Sequence, residues 1–127
     1  MLAENIGLSK SEAPSRVLLV EDDAIIAINA EMMLQQMGVA DVQTAGTVAE
    51  ALVLIDGNAF DFAVLDFSLG EETSVAIAQR LCAAKVPVVI TTGYADVDLP
   101  EDCSDAIILN KPYRLADLKR VVLGSNR

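Results

Sequence analysis

Residues 16–38 read RVLLVEDDAIIAINAEMMLQQMG, and this stretch decides the fold. It opens on an unbroken apolar run of strand length at 17–20, turns acidic at Glu21, Asp22 and Asp23, and continues as a longer apolar-rich stretch at 24–37 that stops at Gly38. A run that never alternates suits a strand covered on both faces, and glycine supplies the left-handed residue that ends a helix. Working outward, runs of the same kind stand at 62–65, 86–90 and 106–109, while 42–45 alternates as an edge strand does. Helical stretches lie between them. Thr47 with Glu50 forms a capping box for a helix ending near Gly57, Thr73 or Ser74 caps a segment reaching Ala84, and 114–123 has apolar residues at 115, 118 and 122 before Gly124. Five strands alternating with at least four helices predict a parallel sheet with helices on both faces, because right-handed crossovers return each helix over the sheet. Only the interval 94–105 breaks the pattern: it is acidic, holds Pro100 and has no apolar period, so it reads as a loop with at most a short helical turn.

Composition bounds the function. The chain has 127 residues, a formal charge of -10, 53% hydrophobic residues and no histidine. The length suits one domain able to bury roughly two thirds of its unfolded surface. Without histidine there is no Ser-His-Asp or Cys-His mechanism, no His-ligated metal and no phosphohistidine on this chain. Acidity argues against nucleic acid and anionic membranes as direct partners. Cys82 and Cys103 stand far apart without a CxxC pair, which argues against a zinc site or a disulfide framework and points to a reducing compartment. Residues 1–14 read as a disordered tail and 15–127 as the folded unit. No run approaches a membrane span and no signal peptide is evident, so a cytoplasmic location is expected.

In a doubly wound sheet, ligands bind beyond the carboxyl ends of the strands. The residues that end the apolar runs are Glu21-Asp22-Asp23, Asp66, Thr91-Thr92 and Asn110-Lys111. Two carboxylates about 4 to 5 Å apart repel by about 3 to 4 kcal/mol at an effective dielectric near 20, so such a cluster calls for a cation. Oxygen ligands favour a hard ion, and magnesium suits one or two carboxylates with water and a phosphate oxygen. Asp66, standing singly after a central run, is the candidate nucleophile toward phosphorus, with Thr92 as a hydrogen-bond donor and Lys111 as a fixed positive charge. Each residue also has a plain reading: Asp23 as a helix N-cap, Asp66 as a loop residue, the threonines as ordinary strand ends, and Lys111-Pro112 as a loop dipeptide.

Together LLVEDD at 18–23, AVLD at 63–66, PVVITTG at 87–93 and Lys111-Pro112 resemble the receiver domain of two-component response regulators, over residues 16 to 124. The resemblance implies a flavodoxin-like, doubly wound five-stranded parallel sheet in the order 2-1-3-4-5, here with a short or degenerate fourth helix. It implies Asp66 as phosphoacceptor, Asp22 as a direct Mg2+ ligand along with Asp66, Glu21 acting through water, and the backbone carbonyl of Ser68 as a further ligand. Thr92 would follow the phosphoryl group and Lys111 would bind one of its oxygens, across a cis Lys111-Pro112 peptide. The implied partners are a sensor histidine kinase or histidine phosphotransfer protein and a downstream protein. No turnover is expected beyond acceptance and loss of the phosphoryl group.

Two departures bear on switching. Ile108 stands where the family usually has an aromatic residue, so Tyr94 either takes that role or merely covers apolar surface; Thr92-Gly93-Tyr94 is similar to a Thr-Gly-Tyr variant of many alphaproteobacterial stand-alone regulators. Gly93 is read as leaving room for a phosphoryl donor and freedom for the loop. The first helix has only Asn29, Glu31, Gln35 and Gln36 as a polar side, which reads either as a partner-docking helix or as one well buried against the sheet. A stand-alone receiver is the expected function, with no effector domain after Leu123; the alternative is a phosphorylation-independent interaction module on the same fold. A haloacid-dehalogenase-like phosphatase would need an aspartate where Ser68 stands, and no glycine-rich phosphate loop follows the first strand.

Overall fold

The computed structural model describes residues 13–93 and 97–124. In chain order the elements are β1 (Arg16–Val20), α1 (Ala24–Gln36), β2 (Asp41–Ala45), α2 (Val48–Gly57), β3 (Phe62–Asp66), β4 (Ser68–Leu69), β5 (Glu72–Thr73), α3 (Val75–Ala83), β6 (Val88–Thr92), a 3-10 turn (Glu101–Cys103), β7 (Ile107–Asn110) and α4 (Leu115–Leu123). The main sheet is parallel in the order β2-β1-β3-β6-β7, which is the expected 2-1-3-4-5 once the short β4–β5 hairpin is set aside. The expected tail, apart from residues 13 and 14, and Tyr94 lie outside the described residues.

Strand alternation divides the interior into two cores. Leu18 and Val20 of β1 face one side and pack with Ala51 of α2 and Ile77 and Leu81 of α3. Val17 and Leu19 face the other, with Ala30 and Leu34 of α1 and Leu118 and Val122 of α4. Because both their faces are covered, the central strands β1, β3 and β6 carry the unbroken apolar runs that mark them in the sequence.

Local chemistry sets the element ends. The Asp23 carboxylate caps α1 by accepting from the N–H groups of Ile25 (2.9 Å) and Ile26 (3.1 Å), so its plain reading is the observed one. Gly38, at φ 104°, ends that helix in a conformation glycine adopts without steric cost. The Thr47 hydroxyl accepts from the Glu50 N–H (3.1 Å), while the Glu50 carboxylate reaches back to the Gly46 N–H (2.8 Å). Thr73 belongs to β5, and Ser74, although it precedes α3, makes no side-chain cap bond. The fourth long strand starts at Val88, two residues later than the apolar run: the Val86 N–H is spent closing α3 on the Leu81 carbonyl (2.9 Å), and Pro87 has no N–H to offer.

Three features differ from the sequence reading or were not in it. The β4–β5 hairpin forms around Gly70, whose φ of 69° suits the first position of a two-residue turn. Cys82 and Cys103 form a disulfide with their Cα atoms 5.4 Å apart, which corrects the reading of two separate thiols. The crossover from β6 lays the 3-10 turn over the end of α3, so residues 21 apart in sequence meet. A loop of that length stabilises by about 3 kcal/mol in the chain-entropy account. The cysteines therefore no longer argue for a reducing compartment. Finally, α1 is not deeply buried: only Ala30 and Leu34 are enclosed, while Ile25 is 72% and Ile28 57% exposed. As expected, the interval before β7 carries no full helix among its described residues, only the turn 101–103.

Candidate functional site

Register brings the predicted residues to one rim. Val20 pairs with Ala45 and Leu65, so Glu21 leaves β1 level with Asp66, and Asp66 in turn pairs with Thr91 while Thr92 pairs with Asn110. Past the strand ends the ladder continues, with the Glu21 N–H on the Ala45 carbonyl (3.0 Å), Phe67 N–H on Thr91 (2.8 Å) and Lys111 N–H on Thr92 (2.7 Å). These bonds hold the side-chain-bearing residues rigid beyond the apolar core.

The carboxylates of Glu21, Asp22 and Asp66 each place an oxygen within 4.8 Å of the others. Asp66 is 6% and Glu21 7% exposed, whereas Asp22 is open to solvent. The Lys111 ammonium lies 3.0 Å from Asp66 Oδ2 and 3.5 Å from Glu21 Oε1. Among the described residues, one cation thus faces three acids. The imbalance is visible in Glu21, whose carboxyl is pushed up to about 7 by burial and by its hydrogen bond and charge contact with Asp66; the Asp23 N–H (3.2 Å) and Lys111 oppose the rise without cancelling it. Burial acts to lower the Lys111 ammonium, but its bonds and charge contacts with Asp66 and Glu21 outweigh it and raise it. A divalent ion would relieve this surplus of negative charge, and an all-oxygen donor set with one solvent-facing carboxylate fits a hard cation that keeps some of its water.

The remaining predicted residues are placed as follows. Thr92 ends β6 and is 1% exposed. Ser68 opens the hairpin two residues after Asp66, and Gly70 at its tip comes close to Asp22: a Cβ there would sit 4.0 Å from Asp22 Oδ2. A Cβ at Gly93 would meet no described atom within 4 Å, so space beside the site is open, and no left-handed backbone is needed there. The Lys111-Pro112 peptide is cis. Ile108 lies on β7 level with Ile90 and is partly exposed, away from the acidic cluster. Sequence reasoning missed Tyr113, whose phenol is pushed up by burial and which lines a groove of about 460 Å³ with Ile26, Asn29, Ala30, Met33, Lys111 and Pro112. Its only signal was its place two residues after Lys111.

Comparison with known proteins agrees with this geometry. PdtaR of Mycobacterium tuberculosis, a transcriptional regulatory protein, is 30% identical over 83% of this chain, and AlgB of Pseudomonas aeruginosa, an alginate biosynthesis transcriptional regulatory protein, is 35% identical over 76%. The matches span 53% and 22% of those relatives, so the chain corresponds to only part of each. Among solved structures, SdrG of Sphingomonas melonis superposes with a TM-score of 0.71 at 32% identity, over 84% of this chain and 92% of SdrG. A CheY-like receiver domain of Methylobacillus flagellatus reaches 0.75 at 22% identity, over 89% and 98%, and speaks for the fold. The family model described as "Response regulator receiver domain" matches residues 17–123, and with the five-stranded fold and the acidic rim this makes the chain a member of the receiver-domain family of two-component response regulators.

Proposed function

We propose that this receiver accepts a phosphoryl group on Asp66 from the phosphohistidine of a sensor histidine kinase or histidine phosphotransfer protein and signals through altered protein contacts. The observation that carries this reading is the Asp66 carboxylate itself, nearly enclosed, 3.0 Å from Lys111 and clustered with Glu21 and Asp22. One Asp66 oxygen forms the new P–O bond while the P–N bond of the donor breaks and the imidazole nitrogen keeps the electron pair. Lys111 stabilises charge on a phosphoryl oxygen, and Thr92 donates to another once the group is in place. Asp22, Asp66 and the Ser68 carbonyl would hold Mg2+, with Glu21 acting through water, and the ion would supply neutralisation of negative charge at the site.

The donor needs a docking surface beside the rim. The exposed Ile25, Ile28 and Met32 of α1, with the groove bounded by Tyr113, offer an apolar surface next to Lys111, which supports the docking reading of that helix. Residues 15–127 form the receiver unit in this reading, with 1–14 as a tail. The acidity of the unit favours protein over nucleic acid as its direct contact, and a cytoplasmic site of action follows from a cytoplasmic donor. No described helix is long and apolar enough to cross a membrane.

The test is incubation with Mg2+ and a small phosphodonor such as acetyl phosphate, followed by intact mass. The wild type should gain one phosphoryl mass and Asp66→Asn none. Equal labelling of that variant would overturn the assignment.

A further inference from the structure

We infer that the Cys82–Cys103 bridge is a reversible thiol-exchange site: oxidised, it clasps the connection between β6 and β7 to α3, and a dithiol reductant opens it and frees that connection. This is independent of the phosphoacceptor reading. The connection has little else to hold it. Among the described residues 97–106, the backbone bonds all stay inside the segment, from Cys103 N–H to Pro100 (2.9 Å), Ser104 to Glu101 (3.2 Å) and Ala106 to Cys103 (3.0 Å). Its attachment to the rest of the protein is through Val97, Leu99 and Ala106, which are only partly buried against the first core, and through Cys103, which is 2% exposed and covalently tied to α3. A segment with few buried contacts opens at low free-energy cost unless it is cross-linked.

The two sulfurs are differently placed, as exchange requires. Cys82 is half-buried whereas Cys103 is 2% exposed; both line a cavity of about 280 Å³ with Lys85, Val86, Asp102 and Asp105, and of the two it is Cys82 that an incoming thiolate reaches from solvent. Attack on Cys82 Sγ forms a mixed disulfide and releases Cys103 as a thiolate, which takes a proton. The second thiol of the reductant then attacks the mixed disulfide and releases Cys82; two electrons and two protons pass to the bridge, and the reductant leaves as its own disulfide. The enclosed Cys103 sulfur lies 3.3 Å from the Ala78 carbonyl, so the freed thiol has an acceptor and the reduced form leaves no buried donor unmet. Both states are therefore accommodated.

The chain has two cysteines, so thiol counting is unambiguous. Wild-type protein would be equilibrated in glutathione buffers of graded potential and with a thioredoxin-class dithiol, then alkylated and weighed, with hydrogen exchange followed in parallel. The expected result is a reversible change between no and two alkylated thiols under native conditions. In the reduced form, amides of Cys103, Ser104 and Ala106 should exchange at least about 10-fold faster, with α1 and the strands unchanged. Cys82→Ser should match the reduced wild type, and the wild-type titration keeps the test decisive if that variant fails to fold. Two thiols persisting in oxidised glutathione, a bridge that resists the dithiol in the native state, or a bridge that opens without faster exchange at 103–106 would each overturn the proposal.

Discussion

The sharpest consequence of three acids facing one ammonium is a stability that rises as the pH falls. Glu21 moves from its ordinary 4.5 to about 7 in the folded, metal-free protein. Between those values the folded state holds a proton that the unfolded chain releases, so stability is fully present below pH 4.5 and is lost as pH rises through about 7. At about 1.4 kcal/mol per tenfold change in proton affinity the full difference is about 3 kcal/mol. Water reaching the solvent-facing Asp22 side of the cluster screens part of it, leaving about 1 to 2 kcal/mol. Asp117 is lowered by the Arg114 N–H and has the opposite sign, but its contribution is lost only below its ordinary 3.8 and does not overlap this window. Urea unfolding with a chelator present, at pH 5.5 and 8, gives the difference directly, and Glu21→Gln isolates the group from the general relief of a net charge of -10. Wild type should be more stable at pH 5.5 by about 1 kcal/mol beyond the change seen in Glu21→Gln, since part of the difference is already lost between pH 4.5 and 5.5. Equal pH dependence in the two proteins would refute the reasoning.

Three further outcomes follow from the same geometry. At pH 8, Mg2+ at ten times its dissociation constant should stabilise the wild type by about 1.4 kcal/mol, and Asp22→Ala should lose most of that gain in the same urea titration. Ile28→Glu, on the exposed face of α1, should change unfolding free energy by less than about 0.5 kcal/mol yet slow phosphotransfer from a protein donor while leaving acetyl phosphate labelling intact. Ser74 is fully buried and its hydroxyl has no hydrogen-bond partner among the described residues, so Ser74→Ala should be neutral or stabilising by up to about 1 kcal/mol in chemical unfolding; a loss of that size would refute this.

Much of this protein was legible before its coordinates. Apolar runs marked four of the five long strands and alternation at 42–45 marked the edge strand β2, and the polar ends of the runs named Glu21, Asp22, Asp66, Thr92 and Lys111. Capping was less so: Thr47 caps as read, but Ser74 has the residue type of a cap and its buried hydroxyl makes no hydrogen bond among the described residues. The start of the fourth long strand slipped because Val86 is apolar yet spends its N–H on ending α3.

What the sequence by itself determined, then, is the set of local decisions: which residues are strand, where helices stop, and which charges leave the strand ends. These depend on neighbours within a few residues. The tertiary structure alone decided what the crossovers bring together: Lys111 onto Asp66, the 3-10 turn onto α3 and hence Cys103 onto Cys82, and the lifting of Ile25 and Ile28 out of the core. The reason is physical: a helix with apolar residues nearly all round buries only the side that the sheet can cover, and two distant side chains meet only where the chain's path between them returns to the same place.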